Sequence, residues 1–327
     1  MTDMDSQPIR LDIHAHLIPL ADAGGAAVSG VGQTAEGLWT VDGSALPARE
    51  AYDPARLVHW MDLHAVEQAW VSVPPTLYRP ALESEAARNW AMAINAGLRA
   101  AASRFASRLA PLLHLPLRHP AVAEAIVRDA AARGFRRFAM AAGDAGSGLS
   151  LSDPGYDRLW SALDAAEAFL FLHPRRGCDG RLDRFHLHNL LGGPGETALA
   201  AAHLIFGGVL DRFPGIAFGL AHGGGATAAV AGRLARGQAT GRAGDHVPAP
   251  GPRLRRFCVD CITHDPQALG LVASVHGADR IVFGSDWPFA MGLPDPAGQL
   301  ADVDPALRRA ILRDNAASLL ARGEKQR

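Results

Sequence analysis

The sequence predicts an α/β fold: a closed parallel (β/α)8 TIM barrel with long loop insertions at the C-terminal ends of strands 1 and 5. Three observations predict it. Along the 327 residues, strand-like apolar runs alternate with alanine-rich helical patterns, the order that builds a parallel sheet covered by helices. Asp53-Pro54, Asp153-Pro154 and Asp265-Pro266 each put an N-cap acceptor before a proline at the first helical position. Finally, His14, His16, His173, His222 and Asp286 all fall at the ends of strand-like runs. Such residues share one mouth only if the first and last strands are neighbours, which requires closure.

Taken in order, strands are expected near 9–14, 67–73, 108–114, 134–140, 168–173, 215–221, 256–262 and 280–285. Helical patterns fall at about 54–64, 83–104, 119–132, 154–167, 195–213, 225–236 and 265–276, with a last one over 304–321. A doubly wound sheet is the structural competitor, but no G-x-G-x-x-G follows the first strand. No repeat, linker or composition break marks a second domain, so residues 1–327 read as a single domain. Two stretches exceed a bare barrel: 20–50, a Gly-rich insertion in which LWTV could pair as a short hairpin, and 174–194, directly after His173. Loops that leave strand ends carry substrate specificity in such barrels, so both are expected to overhang the mouth.

Composition excludes several classes. The hydrophobic fraction of 48% supports a sizeable core, and a net charge of −1 with no basic stretch gives neither a nucleic-acid nor a membrane partner. The N-terminus has no apolar signal-peptide core, and no run approaches the roughly 18 apolar residues of a membrane span. A cytoplasmic protein is expected, and the odd count of 3 cysteines suits a reducing compartment. Cys258 and Cys261 lie three apart in a strand-like run, pointing to opposite faces, and read as core residues.

His14 and His16 are two apart on a strand, so both imidazoles share one face, a ready platform for a divalent ion. His173 and Asp286 end the fifth and eighth strands, and with them form a His-His-His-Asp set that leaves a position open for water or substrate. His222, before Gly223 to Gly225, suits a general acid/base near neutral pH or a fifth ligand. The glycines leave room for substrate and are expected to open a helix whose amides favour an anion. Lys325 is the sole lysine, far from the fourth strand GFRRFAM, so a lysine-bridged metal pair is ruled out and one ion per chain is expected. His59, His64, His114, His119, His203, His246 and His276 read as structural or exposed, with no partner visible in the sequence. His186 and His188 ride the loop after His173, where one of them is placed to touch substrate.

These motifs resemble the amidohydrolase superfamily, within it the branch typified by 2-amino-3-carboxymuconate-6-semialdehyde decarboxylase. The likeness is strongest over GGPGETALAAAHLIFGGVLDRFPGIAFGLAHGGG (192–225), VDCITHDPQAL (259–269) and FGSDWPF (283–289), and DIHAHLIP continues it. The resemblance implies that His14, His16, His173 and Asp286 bind zinc, with manganese the alternative, and that His222 and Asp286 are catalytic. It implies a homodimer, and substrate carboxylates met by Arg49 and by Arg233, the latter reaching across the dimer interface. The chain departs from the branch at Asn189, which stands where a substrate-packing tryptophan is expected; Asn189 and His186 make that wall polar.

The leading expectation is therefore a metal-dependent, non-oxidative decarboxylase of an unsaturated or aromatic carboxylic acid, using metal-bound water and a histidine acid/base. The runner-up is a hydrolase of a lactone, amide or C–C bond, or a hydratase, on the same site. A non-catalytic binding barrel would be favoured by a missing ligand, and none is missing.

Overall fold

The computed structural model describes residues 8–25, 28–144, 147–175 and 179–324; Cys178 and Lys325 lie outside the described residues. The chain divides into two compact units, residues 1–114 with 282–316 and residues 115–281 with 317–327.

The first unit starts with β1 (Asp12–His16), whose residues are all buried. The insertion after it forms a small antiparallel sheet of β2 (Val31–Gln33), β3 (Trp39–Val41) and β4 (Ser44–Ala45), with β3 in the middle. The expected LWTV pairing is thus the centre of three strands rather than one arm of a hairpin. Helix α1 (Pro54–Leu63) leads to β5 (Ala69–Ser72), α2 (Ser84–Ser103) to β6 (Leu109–Pro111), and β7 (Leu113–Leu115) follows. Strand β5 lies between β1 and β6 in a parallel sheet. The register sets His16 opposite Ser72, with an irregularity between Asp12 and Ala15.

The second unit continues the alternation: α3 (Pro120–Ala132), β8 (Arg137–Ala141), α4 (Asp157–Ala165), β9 (Phe169–His173), α5 (Gly193–Phe206) and α6 (Val209–Arg212). Strand β10 (Ala217–Leu220), α7 (Thr227–Ala239), α8 (Pro250–Leu254), β11 (Cys258–Asp260), α9 (Pro266–His276) and β12 (Ile281–Val282) follow. Their sheet runs in the order β12–β11–β10–β9–β8–β7. Parallel strands covered on both faces read as unbroken apolar runs, and FLFLH of β9 is buried at every position. The register aligns Ala141 with His173, Leu172 with Leu220 and Leu220 with Val259, so the C-terminal strand ends form one row. Helices α10 (Pro296–Gln299), α11 (Pro305–Arg309) and α12 (Ala316–Glu324) close the chain.

The proline-marked starts hold: Asp53 accepts from Ala55 N at 3.0 Å, Asp153 from Gly155 N at 2.7 Å and Asp265 from Ala268 N at 2.7 Å. The helix expected over 195–213 is broken between α5 and α6, where Gly208 takes φ +68. Under α4, Trp160 stacks on Tyr156 at 5.7 Å and meets Phe218 edge-on at 5.9 Å. Burying each such ring contributes on the order of 1.5–3 kcal/mol, which makes this cluster a principal anchor of α4 on its sheet. Cys258 and Cys261 are both buried and free, as core cysteines should be. Among the described residues no helix is long and apolar enough to cross a membrane.

His114, on β7, has an environment the sequence did not disclose. The Asn95 amide brackets its backbone where the strand is interrupted: Asn95 Nδ2 donates to His114 O at 2.9 Å and His114 N donates to Asn95 Oδ1 at 2.7 Å. The ring stacks on Tyr78 at 4.9 Å, and burial holds its pKa down to about 4. The unfolded chain, at the ordinary histidine value, binds more protons than the folded one between these two values. Stability is therefore fully present above the unfolded pKa and falls as pH drops toward the folded one. At about 1.4 kcal/mol per unit, the loss is on the order of 3 kcal/mol. His114→Leu should keep more of its thermal midpoint than the wild type when pH is lowered from about 7 to about 4.5. Equal losses in both proteins would remove His114 as the cause.

Candidate metal centre

In the first unit, β1 brings two imidazoles together. His14 Nε2 and His16 Nε2 lie 3.1 Å apart, and Asp286 Oδ1 is 3.3 Å from the former and 3.0 Å from the latter. All three side chains are buried, and their ligand atoms suit one metal ion. An ion with ligands at about 2.0–2.2 Å holds tetrahedral ligand atoms roughly 3.3 Å apart, so the triangle has the right size. A His/Asp metal-binding site is present.

Surrounding groups hold this triangle. Ser72 Oγ meets His16 Nδ1 at 3.1 Å, leaving Nε2 for the ion, an orientation second-shell partners commonly impose on metal-binding histidines. Asp286 N donates to His14 O at 2.7 Å and His16 N to Trp287 O at 2.9 Å, tying the two ligand-bearing segments together. Beneath them Asp12, fully buried, accepts from His14 N at 2.9 Å, Ser285 N at 3.1 Å and Ser285 Oγ at 2.5 Å. Burial pushes the Asp12 carboxyl up to about 7, against these hydrogen bonds, which pull it down. Asp286 itself sits at φ +54, outside the range comfortable for a residue with a Cβ. Such backbone persists where the surroundings over-determine it, and it concentrates at functional positions.

In the second unit, His173 ends β9 and is buried. Its Nδ1 lies 2.8 Å from Pro174 O. A carbonyl only accepts, so Nδ1 carries the proton and Nε2 keeps its lone pair, the tautomer a metal ligand needs. The neighbouring strand end presents His222, whose ring meets that of His173 edge-on at 5.0 Å. His222 also has a left-handed backbone, φ +58, and Gly223 follows at φ +62, where a side chain would meet Thr263 Cγ2 at 2.7 Å.

The corner is pinned by Asp260, which the sequence reading passed over. This fully buried carboxylate accepts from His222 N at 2.8 Å, Gly223 N at 2.8 Å and Ile262 N at 3.0 Å. An acidic residue inside the apolar run RRFCVDCI was the available signal, because a carboxylate is buried there only when donors surround it. The amides of the triple-glycine corner itself are engaged within the protein. Gly224 N donates to Ala221 O, Gly225 N to His222 O and Ala226 N to Pro194 O, so every amide of the corner is spent inside the protein. Helix α7 itself starts only at Thr227.

The other anticipated residues are less enclosed. Arg49 is exposed and gives Nη2 to Glu36 O at 2.5 Å, inside the first insertion. Arg233 is exposed on α7, and His186 and Asn189 are exposed on the loop after β9, where the His186 ring stands 4.6 Å from that of His188. Histidines with no partner visible in the sequence have them in the fold: besides His114, His276 bonds Thr227 Oγ1 and Leu254 O at 2.9 Å each, and His203 bonds Ser150 at 2.7 Å. The sequence reading also missed Arg118, Asp144 and Arg175, which form a charged network on three successive loops.

The chain is similar to known proteins. The family model described as amidohydrolase matches residues 11–322. A 2-amino-3-carboxymuconate-6-semialdehyde decarboxylase of Dictyostelium discoideum is 34% identical over 161 residues, 48% of this chain. The chain spans less than half of that relative, 44% of its length. A gamma-resorcylate decarboxylase of Rhodococcus jostii (strain RHA1) is 28% identical over 289 residues, 79% of this chain and 84% of the relative. Among solved structures, a dihydroxybenzoic acid decarboxylase from Polaromonas sp. JS666 with bound manganese matches with a TM-score of 0.76 at 20% identity, covering 97% of each chain. That likeness shows the fold, a (β/α)8 barrel.

Proposed function

The chain belongs to the amidohydrolase family, and from that premise we propose that it is a metal-dependent, non-oxidative decarboxylase of an unsaturated or aromatic carboxylic acid. The observation that carries the reading is the triangle of His14, His16 and Asp286, whose ligand atoms stand 3.0 to 3.3 Å apart. Its relatives of known activity are decarboxylases, which favours loss of carbon dioxide over hydrolysis at the same residues.

His173 is the fourth ligand in this reading. In a (β/α)8 barrel all strands end at one mouth, where the chemistry is done, and His14, His16, His173 and Asp286 all stand at such ends. What supports the set is its chemistry: three imidazoles and one carboxylate, all buried, the donor types a divalent ion takes. Imidazole-rich sites suit zinc, so we assign one zinc ion per chain, with manganese the alternative. A divalent ion there supplies Lewis-acid stabilisation of negative charge on substrate oxygens.

The remaining steps fall to the protein. His222, held by Asp260, gives an imidazole proton to the carbon that bears the carboxylate. The bond from that carbon to the carboxylate breaks, carbon dioxide leaves, and the new C–H bond takes its place. Arg49, Arg233, Asn189 and His186 remain substrate contacts in this proposal, with Arg233 supplied by the partner of a homodimer. The whole chain, residues 1–327, acts as one catalytic domain in the cytoplasm.

The test is carbon dioxide release by zinc- or manganese-loaded protein from a panel of hydroxybenzoic and unsaturated dicarboxylic acids. Release from at least one is the expected result. Turnover of lactones or amides, with no carbon dioxide from any acid, would overturn the assignment.

A further inference from the structure

Four consecutive residues in the corner before α7 take positive φ: His222 at +58, Gly223 at +62, Gly224 at +77 and Gly225 at +60. Such a backbone is unfavourable for a residue with a side chain, and His222 bears one, so its surroundings must over-determine it. Asp260 does part of this by taking the amides of His222 and Gly223. Two more polar side chains reach the same turn at Gly224. Thr227, the first residue of α7, donates its hydroxyl to Gly224 O at 2.8 Å. The same hydroxyl stands 2.9 Å from Nε2 of His276, the last residue of α9. Thr227 and His276 are both fully buried. A Cβ on Gly224 would meet Thr227 Oγ1 at 2.8 Å and His276 Nε2 at 3.2 Å, so the pair bears directly on this glycine.

The pair acts through a single proton. His276 Nδ1 lies 2.9 Å from Leu254 O, which only accepts, so Nδ1 carries the ring's hydrogen. Burial holds the imidazole toward its neutral form, against the pull of that carbonyl, and Nε2 is left as an acceptor. The one hydrogen of the Thr227 hydroxyl therefore stands between Gly224 O and His276 Nε2. Valine has the shape of threonine but would deprive both buried acceptors of that hydrogen, which is unfavourable. Helix packing alone needs no imidazole here, because an apolar side chain would fill the space with no polar atom to satisfy. What the polar pair adds is direction. The hydroxyl fixes Gly224 O, and with it the peptide plane that joins Gly224 to Gly225. On the far edge of that plane, Gly225 N donates to His222 O at 2.8 Å. A continuous chain of hydrogen bonds thus runs from α9 through Thr227 and one rigid peptide to the backbone of His222.

We propose that Thr227 and His276 are positioning residues for His222. By fixing the peptide between Gly224 and Gly225, they hold the His222 backbone at the positive φ from which its ring meets that of His173 edge-on at 5.0 Å. This rests on the reading that His222 delivers a proton to the substrate, and it adds two residues on which the aim of that ring depends.

The test begins with hydrogen exchange in the full-length, zinc-loaded protein. The amides from His222 to Ala226 should exchange about 10-fold faster in Thr227→Val than in wild type, the order expected for one or two lost hydrogen bonds. Thr227→Ser, which keeps the hydroxyl, should restore the wild-type rate, and His276→Leu should give a smaller increase. Kinetics supply the second readout, on whichever hydroxybenzoic acid releases carbon dioxide fastest. Thr227→Val should lower kcat about 10-fold with KM unchanged, less than the roughly 100-fold that a full ångström of misplacement can cost. In a His222→Asn background the same substitution should change kcat by less than about 2-fold, because the ring it aims is gone. If Thr227→Val does not fold, His276→Leu carries both measurements. Unchanged exchange in Thr227→Val and His276→Leu overturns the proposal, and so does an equal fall of kcat in the two backgrounds. Because exchange is read without turnover, the two readings fail separately. Full carbon dioxide release by His222→Asn, with the turn loosened in Thr227→Val, counts against His222 as the proton donor alone. A rate loss in His222→Asn with unchanged exchange in Thr227→Val counts against Thr227 and His276 alone.

Discussion

Replacing His173 by alanine should leave the protein folded and nearly free of metal. Wild type is expected to carry about one divalent ion per chain, as a site with three histidines and a carboxylate does. Losing even an outer-shell partner costs a metal site about 10–100-fold in affinity, so losing a ligand should cost at least the upper end of that range. The fold should survive, because the His173 side chain ends a strand whose apolar residues, Phe169 to Leu172, stay in place. Elemental analysis after dialysis against a weak chelator measures the metal, and circular dichroism checks the fold. Full metal content in a folded His173→Ala protein would remove His173 from the ligand set while leaving the triangle of His14, His16 and Asp286 standing.

His222→Asn should separate chemistry from metal binding. The amide side chain cannot deliver a proton, and removing a general acid typically lowers the rate by about 10²–10⁴-fold. Metal content should be unchanged, since in the proposed function His222 is the acid/base and not one of the ligands. The backbone amide that Asp260 holds is also unchanged by the substitution, and asparagine tolerates the φ +58 that His222 adopts. A fall in carbon dioxide release at constant metal content and thermal midpoint is the expected pattern. Parallel loss of metal and activity would instead make His222 a ligand.

Much of the fold was legible because its signals are local. The alternation of strands and helices came from apolar runs and from Asp-Pro starts, and Asp53, Asp153 and Asp265 all cap as their positions implied. The breaks were less legible. Gly208 ends a helical pattern that continues on either side of it, and only the turn it makes distinguishes α6 from α5. His114 looked unremarkable in sequence, because nothing local reveals that a strand residue will be sealed under Tyr78.

The metal residues were readable for a related reason: His14 and His16 are placed on one face by the two-residue repeat of a strand, whatever the rest of the chain does. That repeat, the strand-end positions of His173, His222 and Asp286, and the lack of a lysine near the fourth strand are what the sequence by itself determined. The tertiary structure decided which polar groups are already spent. Asp260 takes the amides that had looked free for an anion, Glu36 takes Arg49, and Asp144 gathers two arginines from loops that are 57 residues apart in sequence (175 − 118). Hydrogen bonds and ion pairs of this kind join residues distant along the chain. No period or motif encodes them, and they exist only once neighbouring strands have brought their ends together.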